Sequence, residues 1–283
     1  MKKYHVGNTE ITPLSDGKLL FDRNSFFNDQ EDIDWEPYPE YHDKNFYLNL
    51  GCLLIQTPNK CILVDTGLGQ LDHGAIQPLD HEAIQPLGQT LLKELNDRGV
   101  NPNDIDTVFI THLHIDHVGT NMTKTDSGWV PTFPNATYMA PDADWQLFSK
   151  MINKKPFYYL KQQVLPLLDL SILELFDGET YLSQEVKTIP TPGHTPGHTS
   201  LSIESQGEKA IVVGDAIHIP PQLNEPEWSP RGDRDKKLSA TTRQQLIKTI
   251  EQESASIVAG HFPSPGVGKI KNINSKRIYE ALS

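Results

Sequence analysis

A chain of 283 residues with 37% hydrophobic and 22% charged side chains is long enough to bury a sizeable core and too apolar to stay disordered. A formal net charge of −12 argues against partners built of phosphate, so neither nucleic acid nor an anionic membrane is expected. Polar residues follow Lys2-Lys3 where the apolar part of a secretory signal would stand, and no apolar run reaches membrane-spanning length, so a cytoplasmic protein is expected.

In chain order, Ile11 to Leu14 and Lys18 to Phe21 read as strands around a turn at Ser15-Asp16-Gly17. Residues 22–45 are acidic, aromatic-rich and interrupted by Pro37 and Pro39, and read as a long loop. Leu48 to Gln56 and Cys61 to Asp65 form a hairpin in which Gln56 opposes Cys61, so Cys52 and Cys61 stay free thiols. Residues 71–86 hold two octapeptides that match at seven of eight positions, read as a duplication in a surface loop; its His73 and His81 are weak ligand candidates. Leucines at helical spacing predict a helix from Leu87 to Arg98, stopped by Gly99, and Asp106 to Thr111 reads as a buried strand.

The second half repeats this grammar. Ala136 to Ala140 is a strand, and residues 141–170 form a helical insertion broken near Lys154-Lys155-Pro156. Strands follow at Val186 to Thr191, Thr199 to Glu204 and Ala210 to Gly214. A helix from Leu238 to Glu253, capped by Ser239, precedes a last strand, Ser256 to Gly260, and a short C-terminal helix. Gly266-Val267-Gly268-Lys269 lacks the spacing of a phosphate loop and reads as a turn. Clustered strands with helices between them predict an α/β (α+β) protein of two packed sheets, helices outside, in a single domain over 1–283.

The chemistry concentrates in Thr111-His112-Leu113-His114-Ile115-Asp116-His117, directly after an apolar strand. In extended chain His112 and His114 point the same way and can grip one ion. Asp116 and His117 lie where the chain turns and can face a second. In Thr191-Pro192-Gly193-His194-Thr195-Pro196-Gly197-His198, Pro and Gly fix a rigid turn that presents one imidazole; His194 is the expected ligand, with His198 packed behind it. Asp215 and His261 each end an apolar strand, at Val213-Gly214-Asp215 and Ala259-Gly260-His261. Either alone would read as structural; their company makes them candidates.

This order of motifs resembles the metallo-β-lactamase superfamily over roughly Gly51 to His261. The resemblance implies a four-layer αββα sandwich and a dinuclear centre. His112, His114 and His194 would hold one ion, Asp116, His117 and His261 the other, and Asp215 would bridge them. Imidazole and carboxylate suit Zn²⁺ first, with Mn²⁺ or Fe²⁺ as alternatives. Two such ions can hold a bridging hydroxide as nucleophile, with Asp116 shuttling a proton to the leaving group. In that family the aspartate of Asp65-Thr66-Gly67 sits behind a metal-bound histidine; a single copy argues against an aspartic protease.

Departures within the superfamily narrow the substrate. A cysteine would be expected at Asp215 in a classical zinc β-lactamase, and a glutamate at His114 in a flavodiiron protein. Phe262 to Ser283 is too short for a glutathione-binding domain. The remaining reading is a hydrolase of small-molecule lactones, aryl esters or phosphotriesters, similar to the methyl parathion hydrolase and homoserine lactonase group. N-acyl homoserine lactonase activity and a one-iron persulfide dioxygenase stand as alternatives. Homoserine lactonases usually carry tyrosine where this chain has His218, a residue read here as catalytic and facing substrate. Phe26, Phe27, Trp145 and Phe148 are the expected pocket walls. A homodimer is left open.

Overall fold

A computed structural model describes residues 2–27, 33–69, 90–126 and 128–282, and the architecture is that of these residues. Strand β1 (Tyr4–Val6) pairs with β2 (Thr9–Asp22), which leads through helix α1 (Arg23–Phe26) toward β3 (Asn45–Gln56), and β3 pairs with β2 and with β4 (Cys61–Val64). Helix α2 (Leu91–Asn96) precedes β5 (Thr107–Phe109), which lies parallel to β4, and α3 (Ile115–Val118) follows it. A hairpin of β6 (Met122–Thr125) and β7 (Gly128–Pro131) stands apart. Strand β8 (Thr137–Pro141), helices α4 (Asp142–Phe148), α5 (Tyr159–Gln163) and α6 (Leu165–Asp169), and strand β9 (Leu173–Phe176) complete a sheet ordered β1-β2-β3-β4-β5-β8-β9. The second sheet runs β10 (Val186–Pro190), β11 (Thr199–Ser205), β12 (Glu208–Val212), β13 (Ser256–Val258), β14 (Val267–Ile273) and β15 (Lys276–Ala281). Helix α7 (Lys236–Gln252) carries the parallel crossover from β12 to β13.

Side-chain alternation sets the layers. In β4, Ile62 and Val64 pack toward Ile203 and Val212 of the other sheet, whereas Leu63 packs with Leu95, Leu160 and Leu167 of the helices. In β12 and β13, Val212 and Val258 face inward, while Ile211 and Ile257 meet Leu246, Ile247 and Ile250 of α7. Each fully buried aliphatic side chain contributes about 1.5–3 kcal/mol. The result is helices, sheet, sheet, helix: the expected αββα sandwich.

Gln56 does oppose Cys61, and both cysteines are free. Several expected elements differ. Ser15-Asp16-Gly17 is no reversal but a bulge within the continuous strand β2, where the register shifts between Ser15 and Lys18. The buried Asp16 carboxylate organises it, accepting from the backbone N–H groups of Leu68, Gly69, Thr90 and Leu91 at 2.8–3.0 Å. The 22–45 loop contains α1 and a 3-10 turn at Pro39–Tyr41. The helical insertion at 141–170 is three short helices with 3-10 turns between α4 and α5. Helix α7 starts two residues early, capped by Asp235, which accepts from Leu238 N; Ser239 instead accepts from Arg243.

The C-terminal helix is absent from the described residues. A hairpin stands there, with β14 beginning inside Gly266-Val267-Gly268-Lys269, and Asn274 and Ser275 turning it with φ of 49° and 64°. Strands β1, β6, β7 and β9 were not expected either. Residues 71–86, with His73 and His81, and the start of the expected 87–98 helix lie outside the described residues.

Candidate metal centre

The ligand-type side chains gather where strands of both sheets end. His112 and His114 lie in the loop after β5, and Asp116 and His117 in the first turn of α3. His194 occupies the turn between β10 and β11, Asp215 a 3-10 turn after β12, and His261 the loop after β13. Two glycines permit this convergence. Gly214 has φ of +53°, and a Cβ there would come within 2.6 Å of His198 Nε2. A Cβ on Gly51 of β3 would meet the backbone of Gly260 at 2.3 Å, so the two sheets approach here only over bare backbone.

Three overlapping groups of donor atoms result: His112, His114, His194 and Asp215; Asp116, His117 and His261; and Asp215, His218 and His261. In the first, His114 Nδ1 lies 3.0 Å from His112 Nε2 and 2.9 Å from His194 Nε2, with Asp215 Oδ2 3.3 Å from His194 Nε2. In the second, Asp215 Oδ1 lies 3.3 Å from His117 Nε2 and 3.2 Å from His261 Nε2. Asp116 Oδ2 is 3.7 Å from His117 Nε2 and 3.8 Å from His261 Nε2. Asp215 thus faces both of these groups, Oδ1 toward His117 and His261 and Oδ2 toward His194 and, at 3.2 Å, also His261.

The far side of each ring decides what the near side offers. His117 Nδ1 donates to Asp65 Oδ2 at 2.8 Å, His194 Nδ1 to Asp233 Oδ1 at 2.8 Å, and His261 Nδ1 to the Asn49 carbonyl at 2.7 Å. Thr111 Oγ1 gives its hydrogen to Asp65 and so accepts from His112 Nδ1 at 3.0 Å. With those nitrogens committed as donors, each neutral ring presents a lone pair inward. Lone pairs converging at about 3 Å repel unless a cation lies between them. His117 Nε2 is buried without a hydrogen-bond partner, as a metal-directed nitrogen would be. The donor set therefore fits two metal ions of the imidazole- and carboxylate-binding kind.

The titration behaviour agrees. Burial, reinforced by neighbouring histidines, pushes His112 and His114 well below the ordinary imidazole value, so both are neutral. Burial acts likewise on His117 and His261, but there Asp215 outweighs it: His117 is held well above its ordinary value and His261 rises to about 9. Asp215, despite burial, is held well below the carboxylate range by His261, His117 and other rings. The site demands positive charge around its carboxylates, which protons or metal ions can supply.

The other expected residues divide. His198 stands behind the site: its Nδ1 faces Thr191 and its Nε2 accepts from Asp215 N at 2.9 Å, with burial lowering its pKa to about 3. His218 is inside, its Nε2 3.2 Å from Asp215 Oδ2 and its ring stacked on His261 at 5.5 Å. Phe148 and Phe26 reach the site, with rings 5.7 Å from those of His114 and His218. Phe27 does not: it packs on Trp35 and Trp228 in an aromatic cluster. Trp145 is half-buried against the core of the first sheet.

Sequence reading missed several supports. Asp144 of α4 accepts from Leu113 N at 2.9 Å and Gly197 N at 2.7 Å, fastening the loops that carry His114 and His194 to each other. Asp233, Arg243 and Asn49 were also missed. Their only signal, a polar residue in an ordinary loop, helix or strand, does not separate them from surface positions.

A family model described as the metallo-beta-lactamase superfamily matches residues 52–266. An N-acyl homoserine lactonase from a Bacillus species is 26% identical over 222 residues, which cover 76% of this chain and 81% of that protein. Among solved structures, AidC, a dizinc quorum-quenching lactonase in complex with the product N-hexanoyl-L-homoserine, superposes with a TM-score of 0.81 at 26% identity, covering 100% of this chain and 97% of that one. AbOPH, a hydrolase in the beta lactamase superfamily, gives a TM-score of 0.81 at 24% identity over 99% of this chain and 97% of its own, which supports the fold. The matched stretch runs from within β3 to beyond His261 and so contains every residue of the donor groups: the chain belongs to the metallo-beta-lactamase superfamily.

Proposed function

We propose that this chain hydrolyses small-molecule esters, with lactones first and aryl esters or phosphotriesters beside them, at a dinuclear metal centre. The observation that carries the reading is two clusters of donors with Asp215 between them, the outer nitrogen of four histidines being tied down as a donor. His112, His114 and His194 would hold one ion, Asp116, His117 and His261 the other, and Asp215 both. Zinc suits the set best, with Mn²⁺ or Fe²⁺ as alternatives. When bound, such a pair supplies Lewis acidity and a water acidic enough to act near neutral pH.

The chain's own residues do the rest. The Asp116 carboxylate, with 18% of its side chain exposed, is placed to take the proton of the attacking water and return it to the leaving oxygen. His218, with its pKa lowered to about 4 chiefly by burial, is neutral, and its one N–H, on Nε2 facing Asp215 Oδ2 at 3.2 Å, would steady the shared carboxylate or, on release from it, a substrate oxygen. Phe148 and Phe26 flank the site and would exclude water around an apolar acyl group.

The similarity to an N-acyl homoserine lactonase and to the product-bound dizinc lactonase favours N-acyl homoserine lactones within this class. The two free thiols suit a reducing compartment, which supports a cytoplasmic location as our reading. No described helix is long and apolar enough to cross a membrane.

Proton release, measured on metal-counted protein against an acyl homoserine lactone, a γ-lactone, an aryl acetate and a phosphotriester, tests the reading. Turnover with about two metals per chain, lost on chelation, is expected. Inactivity on the whole panel with two metals bound would overturn it, and one iron per chain with oxygen uptake on a persulfide would replace it with the dioxygenase reading.

A further inference from the structure

We propose that Asp233 and Arg243 form a positioning unit for the first donor group, holding the His194 ring and the Asp215 turn in one buried frame; this deepens the dinuclear reading and rests on it. Arg243 lies mid-way along α7 and is fully buried, as is the Asp233 carboxylate. A guanidinium in that setting needs a partner for each of its five N–H groups. It has them. Nε donates to the Ala216 carbonyl at 2.7 Å, Nη1 to the carbonyls of Pro226 and Trp228, and Nη2 to Asp233 Oδ2 at 3.1 Å and Ser239 Oγ at 3.0 Å.

Each contact leads to the site. Asp233 passes from Arg243 on Oδ2 to His194 Nδ1 on Oδ1, at 2.8 Å, which fixes the proton on Nδ1 and points Nε2 inward. Ala216 ends the 3-10 turn that carries Asp215. The Trp228 carbonyl also accepts from Gln222 Nε2 at 2.7 Å, and Gln222 Oε1 accepts from the backbone N–H of His218 at 2.7 Å. One guanidinium therefore connects a histidine of the first group, the turn of the shared carboxylate and the segment of His218. Well-packed apolar residues would stabilise such a spot as well as a buried ion pair does. The pair's worth here is geometric: it aims His194 while clamping the turn opposite.

The second donor group has its own support in Asp65 and Asn49, which makes the proposal testable by site. Chelator-stripped wild type, Asp233→Asn, His194→Gln and the double variant would be titrated with Zn²⁺ against a chromophoric chelator, and with Co²⁺ by its visible absorption, with thermal midpoints recorded. Asp233→Asn is expected to weaken one of the two sites about 10–100-fold and leave the other unchanged. In the His194→Gln background the same substitution should change neither site further. If Asp233→Asn does not fold, Asp233→Glu, which keeps the charge beside Arg243 but displaces the oxygen that faces His194, is read the same way.

An unchanged pair of affinities in Asp233→Asn, a parallel loss at both sites, or an undiminished loss in the His194→Gln background would overturn the proposal. A wild type that binds one ion at the His194 site would sink the dinuclear reading while the positioning role is still measured. A wild type that binds none would overturn both.

Discussion

Gly51→Ala should empty or distort half of the centre without touching a ligand. A Cβ at position 51 would sit 2.3 Å from the Gly260 carbonyl oxygen and 2.6 Å from its Cα, both backbone atoms. Ordinary contact needs about 3.4 Å or more, so the strands must part by about 1 Å. Nothing flexible is there to yield. His261 follows Gly260 directly and is held to β3 by its Nδ1 on the Asn49 carbonyl at 2.7 Å and by Asn49 Nδ2 on the Gly260 carbonyl at 2.9 Å. Metal–ligand distances tolerate about 0.2 Å, so a shift several times larger should remove His261 from its ion.

Overpacking of this kind costs about 1–3 kcal/mol in stability. The activity loss should be larger in proportion, about 100-fold, because catalysis is steep in position. The assay is metal content after dialysis, denaturant midpoint and ester turnover, with Gly99→Ala as control. Gly99, unlike Gly51, has positive φ, +70°, but nothing lies within 4 Å of its missing Cβ. The control should lose a little stability and no metal. A Gly51→Ala enzyme with two metals and wild-type turnover would refute the claim that close approach of the sheets builds the site.

Asp65→Ala removes the acceptor behind His117 directly and behind His112 through Thr111, so it should weaken the second donor group about 10–100-fold in zinc titrations and the first group less. Asp16→Ala strips four backbone N–H groups of their acceptor; with the Leu68 and Leu91 N–H groups buried, it should cost about 2–6 kcal/mol by denaturant unfolding, and a midpoint near wild type would contradict this. pH should act on the metal-free chain in a defined direction. The folded His261 pKa, about 9, lies above the ordinary imidazole value of 6.5, so its stabilisation is complete below pH 6.5 and lost as pH rises toward 9. The thermal midpoint of chelated protein should fall across that window, and that of zinc-loaded protein should not; equal curves would argue against ions replacing those protons.

The donor residues were legible because their chemistry is rare and their spacing tight. His112, His114, Asp116 and His117 fall within six positions, and strand alternation already set the two sheets face to face. The C-terminal hairpin was misread because Val267, Ile270 and Ile273 recur every third residue rather than alternating, and its turn, Asn274-Ser275, lacks the glycine that marks tight hairpins. The Asp16 bulge was misread for the opposite reason: Ser-Asp-Gly is a good turn sequence, and only the distant amides that the carboxylate collects keep the strand running on.

The supports behind the ligands expose a more general limit. His194 is announced by the prolines and glycines around it, but Asp233, 39 residues later, carries no local mark. Its role exists only because α7 buries Arg243 directly behind it. A ligand advertises itself in sequence since its chemistry is its own. A positioning residue borrows its chemistry from contacts made across the fold, so it becomes visible only after the layers have been assembled. The same contrast separates Asp116, readable from its motif, from Asp144, which fastens two ligand loops from a helix on the outer layer. Substitutions at the second kind of residue should therefore shift metal affinity and geometry while sparing the motif that sequence comparison sees.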